Sequence, residues 1–133
     1  MTEKIFPAQI ETLDAVNAFL EEELEKAGVS PKLMITFTVA LEELFVNVAH
    51  YAYPDSPGTV TIGIDTTGDS VVIRLADSGI PFNPLAKADP DVTLSAEDRK
   101  IGGLGIFMVK KSMDNMDYEY RDGKNILTIS KRK

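Results

Sequence analysis

The order of helical and strand patterns constrains the fold of this chain most. Two helical patterns come first, and two pairs of strand patterns follow, with a polar segment and a third helix between the pairs. Helices that do not alternate with strands disfavour a doubly wound parallel sheet. The sequence therefore predicts an α+β fold as one domain over residues 1–133: a two-layer sandwich with helices on one face of a mostly antiparallel, mixed sheet.

Both N-terminal helices carry start and stop signals. The first is predicted from Thr12, as its cap, to Gly28. Its apolar side chains recur at helical spacing, and they are open to two interpretations, core or the face of a homodimer. They are Leu13, Val16, Phe19, Leu20 and Leu24. Ser30-Pro31 is typical of a cap followed by a first-turn proline, so a long helix is predicted from there to about Tyr53.

The strands are predicted by alternation of apolar residues and by turn residues. A short strand near Lys4–Phe6 is followed by strands at about 60–64, 71–76, 116–120 and 125–130. Asp122-Gly123 is predicted to turn between the last two. Residues 83–101 are polar and contain two prolines, which indicates a mobile connection.

Composition excludes several classes of function. The net charge of −7 leaves no basic surplus for nucleic-acid phosphates. The absence of cysteine excludes disulfides and thiol chemistry, and a single histidine disfavours a zinc site. The N-terminus lacks an apolar signal core, and no apolar run is judged long enough to span a bilayer. A cytoplasmic protein without nucleic-acid or membrane partners is expected.

The first of three candidate functional segments is a polar face of the long helix. Glu43 and Asn47 lie one helical turn apart, and His50 lies further along the same face. The Asn47 amide oxygen suits Mg²⁺, and Glu43 is placed to accept a proton from a hydroxyl or water. Glu42 is out of register with Asn47. The alternative interpretation is a solvated polar stripe, which an isolated pair of this kind usually is.

The second segment follows an apolar strand. A buried Asp77 at the strand end can accept a hydrogen bond from an exocyclic amine such as that of adenine, and Gly79 would let the backbone approach a base closely. Ile80 and Phe82 can pack against the faces of a flat base, but they are equally suited to be ordinary residues of the hydrophobic core. The alternative is an ordinary strand-ending turn, which Asp-Ser-Gly favours.

The third segment is rich in glycine and opens an apolar helix. Gly102, Gly103 and Gly105 offer backbone N–H groups at a positive helix end, which is an arrangement that binds phosphate. A flexible hinge is the alternative, and no P-loop or dinucleotide fingerprint is present. Arg99 and Lys100 are near enough in sequence to contact phosphates, although such charges are more often solvated. Together the three segments predict an ATP site capable of phosphoryl transfer.

The three segments, in this order, resemble the N box and the two glycine boxes of the GHKL ATPase superfamily. More narrowly they resemble the bacterial anti-sigma-factor serine/threonine kinases. That resemblance rests on residues 40–53, 77–84 and 102–114, which read ALEELFVNVAHYAY, DSGIPFNP and GGLGIFMVKKSMD. Pro81 followed by Phe82 and a short lid are typical of the narrower group. The resemblance covers nearly the whole chain and implies a single histidine-kinase-like ATPase domain.

The resemblance also implies roles for individual residues. Asn47 would bind Mg²⁺ bridging the ATP phosphates, Glu43 would be the catalytic base, and Asp77 would read the adenine amine. A lid of roughly residues 83–101 would cover the site. The predicted nucleotide contacts are completed by His50, Gly79, Pro81, Phe82, Lys100, Gly102, Gly103, Leu104, Gly105 and Ile106.

Relatives in this family transfer the γ-phosphate to a serine of a STAS-domain anti-anti-sigma protein and hold a sigma factor as a dimer. The resemblance therefore implies those two partners and a possible homodimer. Two departures bear on activity. Tyr51 stands where many relatives have a histidine, with His50 one position earlier, and Arg99 and Lys100 are not clearly in register with the arginine that relatives carry near the glycine loop.

Three functions stay open on the sequence. The first is an anti-sigma serine kinase, which Glu43 favours because binding alone needs no base in register with a metal ligand. The second is a nucleotide-dependent protein-binding switch with little or no kinase activity. The third is a detached ATPase module of a histidine kinase, which is disfavoured because no dimerisation helix with a phospho-acceptor histidine precedes the domain.

Overall fold

The computed structural model of the chain describes residues 1–86 and 103–133. Most of the predicted lid, together with Arg99, Lys100 and Gly102, lies outside the described residues. The elements, in chain order, are β1 (Thr2–Pro7), a 3-10 turn (Ile10–Thr12), α1 (Leu13–Lys26), α2 (Pro31–Tyr51), β2 (Thr59–Asp65), β3 (Ser70–Asp77), a second 3-10 turn (Pro84–Ala86), α3 (Gly103–Ser112), β4 (Asn115–Arg121) and β5 (Lys124–Arg132).

The five strands form one sheet in the order β1-β2-β3-β5-β4. Every pairing is antiparallel. The β2–β3 and β4–β5 pairs are hairpins, β1 pairs with β2, and β3 pairs with β5. The predicted α+β sandwich is confirmed. The parallel pair that a mixed sheet would contain does not occur among the described strands, and this detail of the prediction is corrected.

One face of the sheet and the apolar sides of the helices form a single core. Alternate residues of β3 are buried, as a sheet covered on one face requires, and the apolar side chains of β2 follow the same alternation at Val60, Ile62 and Ile64. The largest fully buried side chains of the core include Leu20, Leu24, Phe37, Leu41, Leu44, Phe45, Ile62, Ile64, Ile73, Leu75 and Ile129. Since the apolar residues of α1 belong to this core, they are not a homodimer face.

Helix α2 is the central helix of the core layer. Its 21 residues are apolar enough, by length and composition alone, to cross a membrane, so the expectation that no run is long enough is wrong. Five of its side chains are buried in the core, namely Phe37, Ala40, Leu41, Leu44 and Phe45. This packing accounts for those five apolar residues, whereas Ile35 and Val39 of the same helix are 66% and 54% exposed.

The local signals at helix ends were correct in three of four places. The Ser30 side chain accepts a hydrogen bond from Leu33 N at 3.2 Å, with Pro31 in the first turn. Gly28 ends α1 with a φ of 68°, and α2 stops at Tyr51, within two residues of the prediction. Thr12 makes no side-chain cap, because the chain enters α1 directly from the 3-10 turn.

The turn between β4 and β5 forms where the sequence placed it. Asp122 and Gly123 have φ values of 55° and 75°, which suit a tight hairpin connection. This turn sets the register of β5 against β4, and β5 in turn pairs with β3 so that Asn125 lies opposite Asp77.

Candidate functional site

A pocket lies between the C-terminal half of α2, the ends of β3 and β5, and the start of α3. It encloses about 470 Å³ of space, part of it open to solvent. Its lining is mostly apolar, with a few polar side chains. The lining residues are Leu44, Asn47, Val48, Tyr51, Ala52, Leu75, Asp77, Ile80, Phe82, Pro84, Ile106, Tyr118, Asn125 and Leu127.

Asp77 provides the buried carboxylate of the pocket. It is the last residue of β3 and is 7% exposed. Its Oδ1 atom accepts hydrogen bonds from Gly79 N at 2.9 Å and from Asn125 Nδ2 at 3.0 Å. No donor from residues 1–86 or 103–133 reaches Oδ2. Asp77 therefore presents a fixed acceptor to whatever occupies the pocket.

Asn125 ties the walls of the pocket together. Besides Asp77, its Nδ2 atom donates to the Ile80 carbonyl at 2.9 Å. Its Oδ1 atom accepts from Phe82 N at 3.0 Å and from the Tyr118 hydroxyl. The amide thus joins β3, β4 and the segment that follows β3.

The Tyr118 hydroxyl donates into this network from β4. Burial raises the pKa of Tyr118 above its ordinary value of 10.0, and the negative charge of Asp77 raises it further, against a lowering by the Phe82 backbone N–H. The hydroxyl therefore keeps its proton at neutral pH and remains a donor to Asn125.

Gly79 lies against the end of α2 rather than in the pocket lining. A Cβ at position 79 would lie 2.3 Å from the Ala52 carbonyl oxygen. That same oxygen accepts a hydrogen bond from Ile80 N at 2.9 Å. The close approach that requires glycine here is made by α2, and Pro81 is exposed outside the lining.

Only some residues at the C-terminal end of α2 line the pocket. Asn47 lines the pocket, as does Tyr51 one turn further on. His50 is exposed and outside the lining, with its ring 6.0 Å edge-on from that of Tyr51. Tyr51 also stacks on Phe82, with ring centroids 6.1 Å apart and 24° between the planes. The structure thus brings Tyr51, not His50, to the pocket wall.

Glu43 lies against the glycine segment. A Cβ at Gly105 would lie 2.2 Å from Glu43 Oε2, so the carboxylate rests directly on the backbone of α3. Glu42 is held elsewhere, because its Oε1 accepts from Asn17 Nδ2 of α1 at 2.9 Å. The two neighbouring carboxylates are therefore distinct, and only Glu43 faces the start of α3.

Helix α3 begins within the predicted phosphate segment. Gly103 is its first residue, followed by Leu104 and Gly105. Ile106 is buried and lines the pocket, so the first turn of α3 closes one side of it. Of the predicted contacts, Asn47, Asp77, Phe82 and Ile106 meet in the pocket, and Glu43 and Gly105 meet beside it.

Sequence reasoning missed Tyr51, Tyr118 and Asn125 as pocket residues. Tyr118 and Asn125 reach Asp77 only through pairings between strands that are distant in sequence. One local signal was available for Asn125. It shares the buried alternation of Leu127 and Ile129 in β5, and a polar residue in a buried register needs hydrogen-bond partners.

A family model of the histidine kinase-like ATPase domain matches residues 6–131. The serine/threonine-protein kinase BtrW of Bordetella bronchiseptica is 28% identical over 102 residues, covering 76% of this chain and 72% of that protein. The serine-protein kinase RsbW of Bacillus mycoides is 25% identical over 125 residues, covering 91% of this chain and 78% of that protein.

The solved structures show the same fold. The RsbU and RsbW domains of Rv1364c from Mycobacterium tuberculosis match 99% of this chain with a TM-score of 0.63 and 17% identity. This chain spans 32% of that longer one. The Acinetobacter baumannii histidine kinase AdeS matches with a TM-score of 0.50, 13% identity and 68% of its length covered. The family model covers nearly the whole chain, and the chain belongs to the histidine kinase-like ATPase domain family.

Proposed function

We propose that this chain is an ATP-dependent serine/threonine protein kinase of the anti-sigma type. The observation that carries the proposal is the position of Glu43. Its carboxylate rests on the Gly105 backbone at the start of α3, one helical turn before Asn47 at the pocket wall. A base, a ligand for a divalent ion and a phosphate-binding helix start are thereby adjacent.

The pocket fits the base of a purine nucleotide. Its walls are largely apolar, with a few polar side chains among them, which is the lining typical of a site for a flat aromatic base. The Oδ2 atom of Asp77, which has no donor within the described parts of the chain, is placed to accept from an exocyclic amine. Phe82 and Ile106 offer apolar surface to the ring faces.

Asn47 fits a Mg²⁺ ion that arrives with phosphates. No group of three His, Cys, Asp or Glu side chains that could hold a metal ion occurs in residues 1–86 and 103–133. Mg²⁺ is commonly bound by one or two protein oxygens together with substrate phosphates and water. A single amide oxygen at the pocket wall therefore suits an ion bound jointly with a nucleotide.

The residues then divide the work of phosphoryl transfer. When bound, ATP supplies the γ-phosphoryl group and Mg²⁺ offsets its negative charge. Asp77 would hold the purine base, Asn47 would hold the ion, and the first turn of α3 would offer N–H groups to the phosphates. Glu43 accepts the proton of the attacking serine hydroxyl. Positioning and charge compensation supply most of the catalysis in this chemistry.

The proposal extends to partners and location. The relatives named RsbW and BtrW are serine kinases, and one solved relative joins RsbU and RsbW domains. These names support a protein kinase of a partner-switching system. We extend the proposal to a serine of a STAS-domain anti-anti-sigma protein as its substrate, to sequestration of a sigma factor, and to a cytoplasmic single-domain protein and possible homodimer. The proposal further includes nucleotide contacts from His50, Pro81, Lys100 and Gly102.

The test compares the two neighbouring carboxylates. Purified protein is incubated with γ-labelled ATP, Mg²⁺ and each STAS-domain protein encoded in the same genome, and phosphoserine is located by mass spectrometry. We expect Glu43→Gln to bind ATP like the wild type and to lose transfer by about 100-fold or more, because the base is removed. Glu42→Gln is the matched control and should transfer normally, since Glu42 bonds Asn17 instead.

Two results would contradict the proposal in different ways. Transfer by Glu43→Gln at the wild-type rate would remove Glu43 as the base. A wild type that binds ATP and thereby changes its affinity for a partner, without phosphorylating any, would establish the nucleotide-dependent binding switch in place of the kinase.

A further inference from the structure

Asn125 is a buried polar residue whose position no part of the proposed chemistry explains. It is 6% exposed and lies opposite Asp77 in the pairing of β3 with β5. Asp77 is the one other polar or charged residue that is buried among the residues described. Burying two such groups side by side is unfavourable unless their hydrogen bonds are satisfied.

The surroundings of Asn125 fix which way its amide points. Phe82 N is a backbone donor, so it must face the amide oxygen. The Ile80 carbonyl and the Asp77 carboxylate are acceptors, so both must face the amide nitrogen. In a flipped amide the nitrogen would face the Phe82 donor and the oxygen would face the two acceptors, so none of these three hydrogen bonds would form. The orientation is therefore set by the hydrogen-bonding chemistry of the partners.

The hydrogen-bonding capacity of the Asn125 side chain is fully used. Its two N–H groups go to Asp77 and Ile80, and its oxygen accepts from Phe82 N and the Tyr118 hydroxyl. Nothing is left to bond a ligand directly, although the residue lines the pocket. Any effect of Asn125 on ligand binding must therefore act through Asp77 and the segment Ile80–Phe82.

We propose that Asn125 is a positioning residue that sets base selectivity by holding the Asp77 carboxylate with Oδ2 turned into the pocket. The inference rests on the proposed ATP site and deepens it. Asn125 and Gly79 both bond Oδ1, so the second oxygen is left for the ligand. A base with an amino group at its 6-position donates to that oxygen, whereas a 6-oxo base opposes it with another acceptor.

The experiment measures a ratio of affinities rather than one affinity. ATP and ITP, which differ in having an amino or an oxo group at the 6-position, are titrated calorimetrically with Mg²⁺ into wild type and variants. We expect the wild type to prefer ATP by about tenfold or more. In Asn125→Asp an oxygen replaces the nitrogen that lies 3.0 Å from Asp77 Oδ1, so repulsion turns Asp77 away.

We expect Asn125→Asp to lower the ratio of ATP to ITP affinity by roughly tenfold, the value of one hydrogen bond to a charged group. A purely structural role would lower both affinities together and leave the ratio unchanged. Asn115→Asp is the matched control, because it makes the same chemical change at an exposed position of the same sheet. It should keep the wild-type ratio.

Each outcome decides one point. If Asn125→Asp does not fold, Asn125→Ala, which adds no second carboxylate, is measured by the same ratio. A variant that folds and keeps the wild-type ratio overturns the role of Asn125 and leaves the ATP site standing. A wild type that binds both nucleotides equally overturns the selectivity. A wild type that binds neither overturns the proposed function itself.

Discussion

At the scale of single residues, Gly79 and Gly105 lack a side chain for two different reasons. At Gly79 the space is taken by the backbone of Ala52, at the end of α2. At Gly105 it is taken by the tip of the Glu43 side chain. Backbone cannot move aside cheaply, whereas a flexible carboxylate can. Gly79 therefore serves the fold, and Gly105 serves the position of the proposed base.

Gly105→Ala is expected to separate activity from stability. Its methyl group would displace the Glu43 carboxylate from the start of α3, so phosphoryl transfer should fall by about tenfold or more. The free energy of unfolding should stay the same or rise, because alanine favours a helix over glycine by about 0.5–1 kcal/mol. Transfer assays and urea denaturation measure the two effects.

Gly68→Ala is the matched control for this substitution. Position 68 lies in the turn after β2, where an added Cβ meets nothing within 4 Å. It should change neither transfer nor binding. A Gly105→Ala variant with undiminished transfer would show that the contact between Glu43 and α3 does not matter for the reaction.

The Tyr118 hydroxyl predicts a loss of stability at alkaline pH. Burial raises its pKa above 10.0 in the folded chain, so the folded state holds the proton more tightly than the unfolded state. The stability that results is present in full below about pH 10 and is lost as the pH rises through the folded-state pKa. Between about pH 10 and the folded-state pKa, the wild type should lose unfolding free energy more steeply than Tyr118→Phe, as measured by urea denaturation at several pH values. Parallel losses would contradict this assignment.

At the scale of secondary-structure elements, α2 combines structural and functional roles along its length. Its start is fixed by Ser30, its middle is buried in the core, and its C-terminal half carries Glu43, Asn47 and Tyr51. The polar residues occupy the side that the core does not use. The position of the functional groups thus depends on where the helix begins and how it packs.

The caps of α1 and α2 predict different results for two similar substitutions. Ser30→Ala removes the hydrogen bond to Leu33 N and should lower the free energy of unfolding by about 0.5–2 kcal/mol. Thr12→Ala removes no cap bond and should have a smaller effect. Thermal or urea unfolding of both variants measures the difference. A loss for Ser30→Ala no larger than that for Thr12→Ala would contradict the predicted stabilisation by the Ser30 cap.

Local patterns predicted the elements well because their causes are local. The cap at Ser30, the glycine stop at position 28 and the turn at Asp122-Gly123 each act within a few residues. The same reasoning failed at Thr12, where a 3-10 turn supplies the helix entry instead of a side chain. Packing alone fixes the rotation of α2, which turns Tyr51 to the pocket and leaves His50 outside the pocket lining.

The pocket residues that were not predicted depend on contacts between segments that are distant in sequence. Asn125 reaches Asp77 because β5 pairs with β3, and Tyr118 reaches Asn125 because β4 pairs with β5. Residue spacing carries no information about such register. The different contacts of Glu42, which bonds Asn17, and Glu43, which lies against Gly105, likewise follow from the packing of α1 and α3 on α2.

At the scale of the whole molecule, an antiparallel sheet and three helices bring three sequence segments to one pocket. Helix α2 supplies Asn47, the end of β3 supplies Asp77, and α3 supplies the glycine-rich start beside Glu43. The fold and the family are established by the architecture and by the match over residues 6–131. The proposed kinase activity depends on the binding of ATP with Mg²⁺ in this pocket.

Calorimetric titration with ATP, in the presence and absence of Mg²⁺, measures this binding. It is performed on the wild type, on Asn47→Ala and on the exposed control Asn115→Ala. The wild type and the control should bind ATP in a Mg²⁺-dependent manner, and Asn47→Ala should lose this binding. A wild type that binds no ATP, or an Asn47→Ala variant that binds Mg²⁺ and ATP as the wild type does, would contradict this prediction.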